Sequence, residues 1–379
     1  MLDGYYTQKF PLEYLRYVPA PLKKLGPLSQ LQGSSTELPS SKIFLQKIPA
    51  AADIVLDRIT SGAARSAVHL RSFKVFDRWI ARQVERIWPS AVIGYEPSCT
   101  ETFTVARKLG ITCVLDAASL HFRLQDKVRG VVDGLKLDPV EREIRDRKSR
   151  EIELADWIFC ASPFAKESYV QSGVPPEKIV VQPLGCDLAR FFPAPAGSRS
   201  GNLRIAFAGV PGRYKGFDLL LRTLQTLWAR NVSVELHVFG NEGAARAMGA
   251  MPVGGQLVLH GSVPHAELAD KLRLMDCVVL PSLFDSFGMI VVESMASGVP
   301  VIASDMTGGK MAIVEERSGW ILPASDEGKW MERIAQLAAN PDIARSMAQA
   351  CVQDARPYDW AYYHQRIQGF FLNHKVAQS

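Results

Sequence analysis

Two carboxylates stand eight residues apart in the segment of the sequence that is richest in chemical signals. Asp285 lies in a loop that follows an apolar strand-like run, and Glu293 lies about two turns into the helix predicted after Gly288. Carboxylate oxygens accept hydrogen bonds from vicinal hydroxyl groups, which suits ribose and hexose. Either residue alone would more often be a solvated charge on a loop or helix face. Their place in one ordered segment predicts instead that they flank a hydroxyl-rich ligand.

The backbone between these two carboxylates offers a second kind of contact. The helix is predicted to open at Phe287 and Gly288, and the first amide groups of a helix, here near Met289, lack partners within the helix. Such a helix start attracts phosphate, helped by the helix dipole, and glycine lets a ligand approach the backbone closely. The segment 281–300 therefore predicts a site for a ligand that carries both phosphate and hydroxyl groups.

Residues 200–330 have the alternating pattern that could position such a site. Segments with helical periodicity separate short apolar runs, several of which end at a glycine. The predicted strands are 203–208, 232–239, 257–260, 277–280 and 299–303, and the predicted helices are 219–229, 267–274 and 289–297. This alternation is typical of a doubly wound parallel sheet with crossover helices. Ligands of such sheets sit beyond the carboxyl ends of the strands, where this half keeps its glycines and polar residues.

The N-terminal half repeats the scheme less regularly. Its predicted strands are 91–95, 112–115, 157–160 and 178–182, and its predicted helices are 65–87, 98–109 and 141–154. A stretch rich in proline, glycine and serine at 193–201 is typical of an exposed linker. The predicted fold class is therefore α/β, with two Rossmann-like doubly wound parallel-sheet domains facing a cleft. The predicted divisions are 1–195, 200–355 and a C-terminal helix, 356–379, that packs back on the first domain.

Residues 1–60 depart from this scheme. They contain six prolines and no obvious opening strand followed by a glycine-rich turn. A two-domain protein of this type would normally begin with both. Either the first strand and helix are missing from this chain, or residues 1–60 are a divergent replacement for them.

Composition excludes several classes of protein. The 379 residues are 47% apolar and 22% charged, as in ordinary globular proteins. No run approaches the ~18 apolar residues of a membrane-spanning helix, and the first residues lack the pattern of a signal peptide. The six cysteines are scattered singly, which argues against a disulfide framework or a zinc knuckle and favours a reducing, cytoplasmic compartment.

The net charge of +5 is unevenly distributed. Residues 1–195 contain 27 Lys and Arg against 22 Asp and Glu, and the remainder contains 17 of each. This surplus points to an anionic partner of the N-terminal half. It is too small to predict nucleic-acid binding, and the basic residues lack the interleaved exposed aromatics of a base-stacking platform.

The ordered motifs together resemble family 4 of the retaining glycosyltransferases, which have the GT-B fold. The segment from Asp285 to Glu293 resembles the Glu-x7-Glu signature, with Asp285 in place of the first Glu. Residues 212–221 resemble the Lys-Gly phosphate-binding segment, and residues 260–282 resemble the nucleotide-base region. Residues 153–162 and 183–193 resemble the stretch before the interdomain linker. The resemblance covers roughly residues 90 to 330.

The resemblance implies a role for each matching residue. A nucleotide-sugar donor would bind the C-terminal domain and an acceptor the N-terminal domain. Arg213 and Lys215 would hold the donor diphosphate, together with the amides of Phe287, Gly288 and Met289. Glu293 and Val263 would bind the nucleoside, and Asp285 would bind sugar hydroxyls with one methylene less reach than the usual Glu. A single tyrosine separates Arg213 from Lys215, whereas the family's arginine usually stands several residues earlier.

Three residues of the N-terminal half are further candidates. His121 follows a predicted strand, and in similar enzymes such a histidine lies beside the sugar and the acceptor. A histidine at the end of a strand is as often structural. Tyr95 and Glu96, at the end of the preceding strand, are candidates for acceptor contact.

The helix predicted at 65–87 divides into two faces. One arc is basic and comprises Arg71, Lys74, Arg78, Arg82 and Arg86, and the opposite arc comprises Phe73, Phe76, Ile80, Val84 and Ile87. The simpler interpretation is a surface helix with a solvated basic face. The sharper hypothesis is electrostatic docking on an anionic membrane, worth on the order of 1 kcal/mol per basic residue.

The predicted reaction is the transfer of a hexose-type sugar from a nucleotide sugar to a saccharide or lipid-linked acceptor. The resemblance implies retention of anomeric configuration. The sequence contains no Asp-x-Asp pair of the kind that holds a metal ion in another class of glycosyltransferase, and we expect no metal or other cofactor. Two alternatives stay open. One is a nucleotide-sugar epimerase or glycogen-phosphorylase-like enzyme on the same scaffold, and the other is a non-catalytic sugar-nucleotide-binding protein.

Overall fold

A computed structural model describes residues 5–7, 43–45, 62–195, 201–251 and 256–374. Its contacts divide the chain into two compact units. The first unit comprises residues 1–116 and 136–156, and the second unit comprises residues 117–135 and 157–378. This division assigns residues 117–135 and 157–195 to the same unit as the C-terminal sheet, whereas the boundary predicted from the sequence lies between residues 195 and 200. Residues 196–200 of the predicted linker lie outside the described residues.

Three helices and two parallel strands form the described centre of the first unit. The strand Ala91–Tyr95 pairs in parallel with the strand Thr112–Ala117, with Ala91 opposite Thr112. The helices Gly62–Ile87, Thr100–Lys108 and Pro139–Leu154 pack on one another. Two further three-residue strands, Tyr5–Thr7 and Ile43–Leu45, pair in parallel. The other residues of segment 1–60, including the proline-rich stretch that the sequence analysis singled out, lie outside the described residues.

A buried carboxylate ties these three helices together. Asp77 is inaccessible to solvent, and its Oδ1 and Oδ2 atoms accept the backbone N–H groups of Thr102 and Glu101, each at 2.8 Å. Arg147 donates to the same carboxylate at 2.6 Å. Asp77 therefore supplies the N-terminal amides of one helix with acceptors from a second helix, while a third helix neutralises its charge.

The helix Gly62–Ile87 has the two faces that its sequence predicts, with one exception at each. Ile80 and Val84 are buried, but Ile87, which belongs to the predicted apolar arc, is 49% exposed at the end of the helix. The four arginines of the basic arc are exposed. Lys74 is half-buried and pairs with Glu143 at 2.5 Å. The solvent-facing charges of the basic arc are therefore Arg71, Arg78, Arg82 and Arg86.

A six-stranded parallel sheet forms the centre of the second unit. Its strands lie in the order Gly319–Leu322, Val301–Ser304, Cys277–Leu280, Leu203–Ala208, Val234–Phe239, Leu257–Gly261. The central strands are buried on both faces, which explains their nearly continuous apolar sequence. Trp320 and Trp330 are completely buried in the same core.

Helices connect these strands in the manner that the sequence predicts. The connecting helices are Phe217–Ala229, Glu242–Ala247, His265–Leu272 and Met289–Ala296. The sequence analysis did not predict Glu242–Ala247 or the strand Gly319–Leu322. It also left unassigned the later helices Glu327–Ala339, Asp342–Ser346 and Ala348–Ala355.

The second unit also contains segments from the N-terminal half of the chain. The strands Trp157–Cys160 and Ile179–Val181 pair in parallel, and the helices Phe122–Asp133 and Pro163–Val170 belong to this unit. The C-terminal helix Trp360–Asn373 packs Phe370 edge-on against the rings of Trp157 and Phe159. These two aromatic residues lie in segment 1–195, the segment on which the sequence analysis predicted that this helix packs.

Candidate functional site

The candidate donor site of the second unit is formed by two loops that hydrogen-bond to each other. One loop contains the short 3-10 helix Arg213–Lys215, and the other connects the strand Cys277–Leu280 to the helix Met289–Ala296. The backbone N–H of Leu283 donates to the carbonyl of Tyr214 at 2.9 Å. The rings of Tyr214 and Phe284 also meet, with their centroids 5.6 Å apart. Residues some 70 positions apart in the sequence therefore form one structure at the ends of adjacent strands.

Gly216 is the residue that allows this approach. It adopts a left-handed conformation with φ 66°, and a Cβ at this position would lie 1.9 Å from the carbonyl oxygen of Pro281. No other residue fits without displacing the loop. The backbone geometry alone therefore requires the glycine of the predicted Lys-Gly segment.

The structure brings Lys215 and Asp285 together, as the sequence analysis predicted for residues of one site. Lys215 Nζ lies 2.5 Å from Asp285 Oδ2, and the two side chains are 39% and 13% exposed. Asp285 Oδ1 accepts the backbone N–H of Phe287 at 3.3 Å. The carboxylate therefore lies between the lysine and the start of the helix Met289–Ala296. A lysine and a helix N-terminus on either side of one acidic group make an environment that stabilises negative charge.

Gly288 caps this helix in the left-handed conformation, with φ 76°. The side chain of Phe287 is buried in the core, so that only its backbone can contact a ligand. Met289 packs against the core as a half-buried residue. Burial of the Phe287 side chain restricts its predicted contribution to its amide group, and the phosphate role of the three residues stays a prediction.

Arg213 has an acidic partner that the sequence analysis missed. Its Nη1 atom lies 3.1 Å from Oδ1 of Asp133, and the hydroxyl of Tyr214 hydrogen-bonds to the other oxygen of the same carboxylate. Asp133 is the last residue of the helix Phe122–Asp133. Both cations proposed for the diphosphate are thus held by carboxylates, Arg213 by Asp133 and Lys215 by Asp285.

Glu293 faces a different partner, which the sequence analysis also missed. Glu293 Oε1 lies 2.7 Å from Nε2 of His265, and the carboxylate side chain is only 7% exposed. His265 is the first residue of the helix His265–Leu272. The preceding Val263 is half-buried and packs against the core of the second unit. Of the two residues predicted to bind the nucleoside, Glu293 contacts His265 directly, and Val263 stands two residues before His265 in the sequence.

His121 is buried and makes structural contacts. Its Nδ1 accepts the backbone N–H of Arg123 at 3.2 Å, which caps the helix Phe122–Asp133. Its ring lies edge-on to Tyr169, with centroids 5.0 Å apart, and its backbone N–H donates to the hydroxyl oxygen of Ser168 at 2.9 Å. The loop between the strand Cys277–Leu280 and the helix Met289–Ala296 is called the donor loop below. The segment before His121 contacts this loop, since the hydroxyl of Ser286 donates to the carbonyl of Ala118 at 2.8 Å. His121 thus has a structural role, and its catalytic role stays a prediction.

The donor loop is also held from a second side. Ser162 donates to the carbonyl of Ser286 at 2.6 Å, and the backbone N–H of Gly308 donates to the carbonyl of Asp285 at 2.9 Å. A Cβ on Gly308 would lie 2.0 Å from the Ser286 carbonyl oxygen. These contacts fix the backbone around Asp285 before any ligand binds.

Tyr95 and Glu96 belong to the first unit. Tyr95 is exposed at the end of its strand, whereas Glu96 is buried and lies 3.3 Å from Lys148 Nζ. Burial, with the charge of Glu96 as a smaller cause, raises the pKa of nearby Asp116 to about 6. Tyr95 is therefore accessible for contact with an acceptor, and Glu96 is held in an ion pair.

Two histidines to which the sequence analysis assigned no chemistry form a pair. His237 Nδ1 and His260 Nε2 lie 3.0 Å apart, and their rings stack. They line a cavity of about 320 Å³ together with charged residues that include Arg204 and Lys271. Burial lowers the pKa of both imidazoles, which favours their neutral forms.

The described residues contain neither a membrane-spanning helix nor a cluster of side chains suited to a metal ion. No helix among them is long and apolar enough to cross a membrane. No cluster of three or more His, Cys, Asp and Glu side chains within 62–195, 201–251 and 256–374 has an arrangement that could hold a metal ion. All six cysteines lie in these ranges, and each is buried as a free thiol.

Comparison with known proteins assigns the part of the chain that carries this site. Residues 190–356 match the family model of the glycosyl transferases group 1. This match is confined to residues 190–356, which belong to the second unit. All the residues of the candidate donor site, from Arg213 to Glu293, lie within it. The resemblance that the motifs predicted is thus confirmed.

Curated relatives share this domain over part of their length. The D-inositol 3-phosphate glycosyltransferase of Segniliparus rotundus is 30% identical over 200 residues, which are 49% of this chain and 44% of the relative. The protein of the same name from an Arthrobacter species is 26% identical over 313 residues, which are 76% of this chain and 71% of the relative. The chain thus spans less than half of the first relative's length.

Solved structures confirm the fold. Sucrose-phosphate synthase from Thermosynechococcus elongatus superposes with a TM-score of 0.65 at 18% identity, over 82% of this chain and 79% of that chain. HepE from Anabaena, solved in complex with UDP-glucose, superposes with a TM-score of 0.62 at 13% identity, over 85% and 93%. The predicted α/β class with two parallel-sheet domains, GT-B, is therefore confirmed.

Proposed function

We propose that this chain is a glycosyltransferase that moves a hexose-type sugar from a nucleoside diphosphate sugar to a saccharide or lipid-linked acceptor. The observation that carries the proposal is the pairing of Lys215 with Asp285 beside the N-terminus of the helix Met289–Ala296. A diphosphate that enters this place meets a lysine, a neighbouring arginine and the amides at the start of the helix. The same charges would stabilise the departing nucleoside diphosphate, which is the leaving group of the transfer.

Asp285 and Glu293 would bind different parts of the donor. Asp285 would accept hydrogen bonds from sugar hydroxyls at the start of the helix, and Glu293, about one turn into the helix, would accept those of the ribose. The diphosphate would lie between them, next to Lys215. The names of relatives and structural neighbours support a nucleotide sugar as the donor, since they include D-inositol 3-phosphate glycosyltransferases and a protein solved with UDP-glucose.

Two finer features belong to the same proposal. The transfer proceeds with retention of anomeric configuration, as the family resemblance implies. It requires no metal ion, because Lys215 and Arg213 supply the positive charge that a divalent cation would otherwise bring to the diphosphate. Product stereochemistry by NMR tests the first feature, and full activity in excess EDTA tests the second.

The first experiment is a thermal-shift panel of UDP-, GDP- and ADP-sugars, followed by a transfer assay with the donor that binds. The acceptor panel includes D-inositol 3-phosphate and cell-envelope lipid fractions. Lys215→Ala and Glu293→Ala are each expected to cut transfer at least tenfold, since each removes a charged hydrogen-bonding partner worth about 1.5–3 kcal/mol. The matched controls are Lys329→Ala and Glu267→Ala, which change exposed charges on the helices Glu327–Ala339 and His265–Leu272.

The outcomes separate the proposal from its alternatives. Wild-type turnover by both Lys215→Ala and Glu293→Ala would remove the case for this site. An epimerase would change the sugar of the donor in the absence of acceptor, whereas a transferase would at most hydrolyse the donor slowly. A non-catalytic binding protein would bind the donor and release no nucleotide with any acceptor fraction.

We further propose a cytoplasmic location with peripheral attachment to an anionic membrane surface. The exposed Arg71, Arg78, Arg82 and Arg86 of the helix Gly62–Ile87 support it, since each basic residue near such a surface contributes on the order of 1 kcal/mol. Trp88, which follows this helix, is exposed and of the residue type that is enriched at membrane interfaces. Co-sedimentation with anionic liposomes that is unchanged by Arg71→Glu, Arg78→Glu and Arg82→Glu together would contradict the proposal.

A further inference from the structure

His265 holds the carboxylate of Glu293 in a defined position. Its Nε2 atom lies 2.7 Å from Glu293 Oε1, and its ring lies edge-on to that of Phe191 at 4.9 Å between centroids. Phe191 is itself completely buried in the core of the second unit. The imidazole is thus fixed by an aromatic contact on one side and by the carboxylate on the other.

A third contact determines which ring nitrogen carries the proton. His265 Nδ1 lies 3.3 Å from Nη1 of Arg190. A guanidinium group can only donate hydrogen bonds, so Nδ1 must be the acceptor in this contact. The proton of the neutral ring then lies on Nε2 and is donated to Glu293. Arg190 therefore selects the tautomer that binds the carboxylate.

The surroundings of His265 shift its pKa in both directions. The hydrogen bond to Glu293 raises the pKa of His265, against the opposing effects of burial and of the Arg190 charge. Asp187, on the same segment as Arg190, favours the charged imidazole to a smaller extent. Glu293, Arg190 and Asp187 are the charged groups that shift this titration.

Open space adjoins this group. His265 is half exposed and lines a cavity of about 410 Å³ together with residues 186–190, Asp359 and Trp360. The backbone N–H of Cys186, which also lines this cavity, donates to the carbonyl of Tyr358 at 2.5 Å. Open space therefore lies beside His265, the hydrogen-bond partner of the Glu293 carboxylate.

We propose that His265 is a positioning residue of the donor site, which fixes the Glu293 carboxylate so that it can accept the two hydroxyl groups of the donor ribose. This inference rests on the proposed function and deepens it. A free glutamate side chain loses rotamer entropy when a ligand orders it. The bond to His265 orders it beforehand, while the carboxylate keeps lone pairs for further hydrogen bonds.

The experiment compares three probes by isothermal titration calorimetry on the full chain. They are the nucleoside diphosphate that wild type binds most tightly among UDP, GDP and ADP, its 2′-deoxy counterpart, and inorganic pyrophosphate. His265→Ala is expected to weaken binding of the ribonucleotide about tenfold and to narrow the preference for ribose over deoxyribose. Pyrophosphate affinity should stay at the wild-type level, because it depends on Lys215 and Arg213.

Three further variants make the result specific. His265→Gln keeps a side-chain N–H donor and is expected to recover part of the affinity. His265→Ala in a Glu293→Gln background should have no further effect on the ribonucleotide. Glu267→Ala, an exposed change on the same helix, should behave as wild type. In wild type, an NMR titration should place the pKa of His265 above 6.5, and Glu293→Gln should lower it.

The possible outcomes separate this inference from the proposed function. If wild type binds none of the nucleoside diphosphates, the proposed function fails. If wild type binds one and His265→Ala binds it equally well with an unchanged preference for ribose, the inference about His265 is overturned while the proposed function stands. Equal losses for the ribonucleotide and for pyrophosphate would also overturn it, since they would indicate a general disturbance of the site.

Discussion

Lys215 and Asp285 form an ion pair of 2.5 Å across two loops that are 70 residues apart in the sequence. The lysine is the proposed partner of the donor diphosphate, and the aspartate is the proposed partner of its sugar. An incoming diphosphate must therefore compete with the carboxylate for the same ammonium group. In the ligand-free site the charges of Lys215 and Asp285 neutralise each other. The affinity of the site for anions therefore depends on the free energy needed to separate this pair.

Asp285→Asn tests this balance. Removing the negative charge frees Lys215, and we expect inorganic pyrophosphate to bind severalfold more tightly than to wild type. Sugar transfer should fall by about 10- to 100-fold, because the amide cannot replace a charged acceptor of the sugar hydroxyls. Calorimetry and the transfer assay measure the two effects. Weaker pyrophosphate binding in the variant would show that Asp285 does not compete for Lys215.

Asp133→Asn tests the second internal pair. Asp133 holds Arg213 at 3.1 Å and also accepts from Tyr214, and both members of the ion pair are about half exposed. Such pairs contribute about 0–1 kcal/mol, so the variant should bind the nucleoside diphosphate no more than about fivefold more tightly. Asp342→Asn, which removes an exposed partner of Arg345, is the matched control. A loss of affinity in Asp133→Asn would mean that Asp133 helps to order the loop.

Gly216→Ala is expected to destabilise the second unit and to weaken donor binding. Its positive φ strains any residue with a side chain, and its Cβ would collide with the Pro281 carbonyl. Gly110→Ala is the matched control, since Gly110 has φ 73° and open space around it. We expect Gly110→Ala to cost about 1 kcal/mol and Gly216→Ala clearly more, as measured by urea unfolding. Equal losses in the two variants would exclude the collision as a cause.

Glu151 predicts a pH dependence of stability. Burial raises its pKa to about 7 from a reference of 4.5, even though Cys99 and Thr100 donate to its Oε1 atom. Between these two pH values the folded state keeps a proton that the unfolded chain releases. The free energy of unfolding therefore falls as the pH rises, by at most about 1.4 kcal/mol per unit from this group.

Glu151→Gln should reduce this slope, and urea unfolding between pH 6 and 7 measures the difference from wild type. Asp116, whose pKa is about 6, contributes mainly below this interval. Glu153→Gln changes an exposed carboxylate on the same helix and should keep the wild-type slope. An unchanged slope in Glu151→Gln would mean that this carboxylate is ionised at neutral pH in the folded protein.

Much of the architecture follows from local sequence patterns. The strands Leu203–Ala208 and Cys277–Leu280 have the bounds that their apolar runs predict, because strands in the middle of a covered parallel sheet require a mostly apolar sequence. The helix Met289–Ala296 begins after Gly288 as predicted. The strand Gly319–Leu322 was missed, since its sequence begins with glycine, a residue that is depleted in strands.

The sequence by itself determined the types of residue that the donor site would contain and the order in which they occur. Asp285 and Glu293 could be named from their place in one ordered segment, and Lys215 could be named from the resemblance to a known family. Only the tertiary structure decided which partner each of them has. Asp133 meets Arg213 across 80 residues, and His265 meets Glu293 across 28. Such contacts depend on how strands and helices pack in three dimensions, and no periodicity along the chain records that packing.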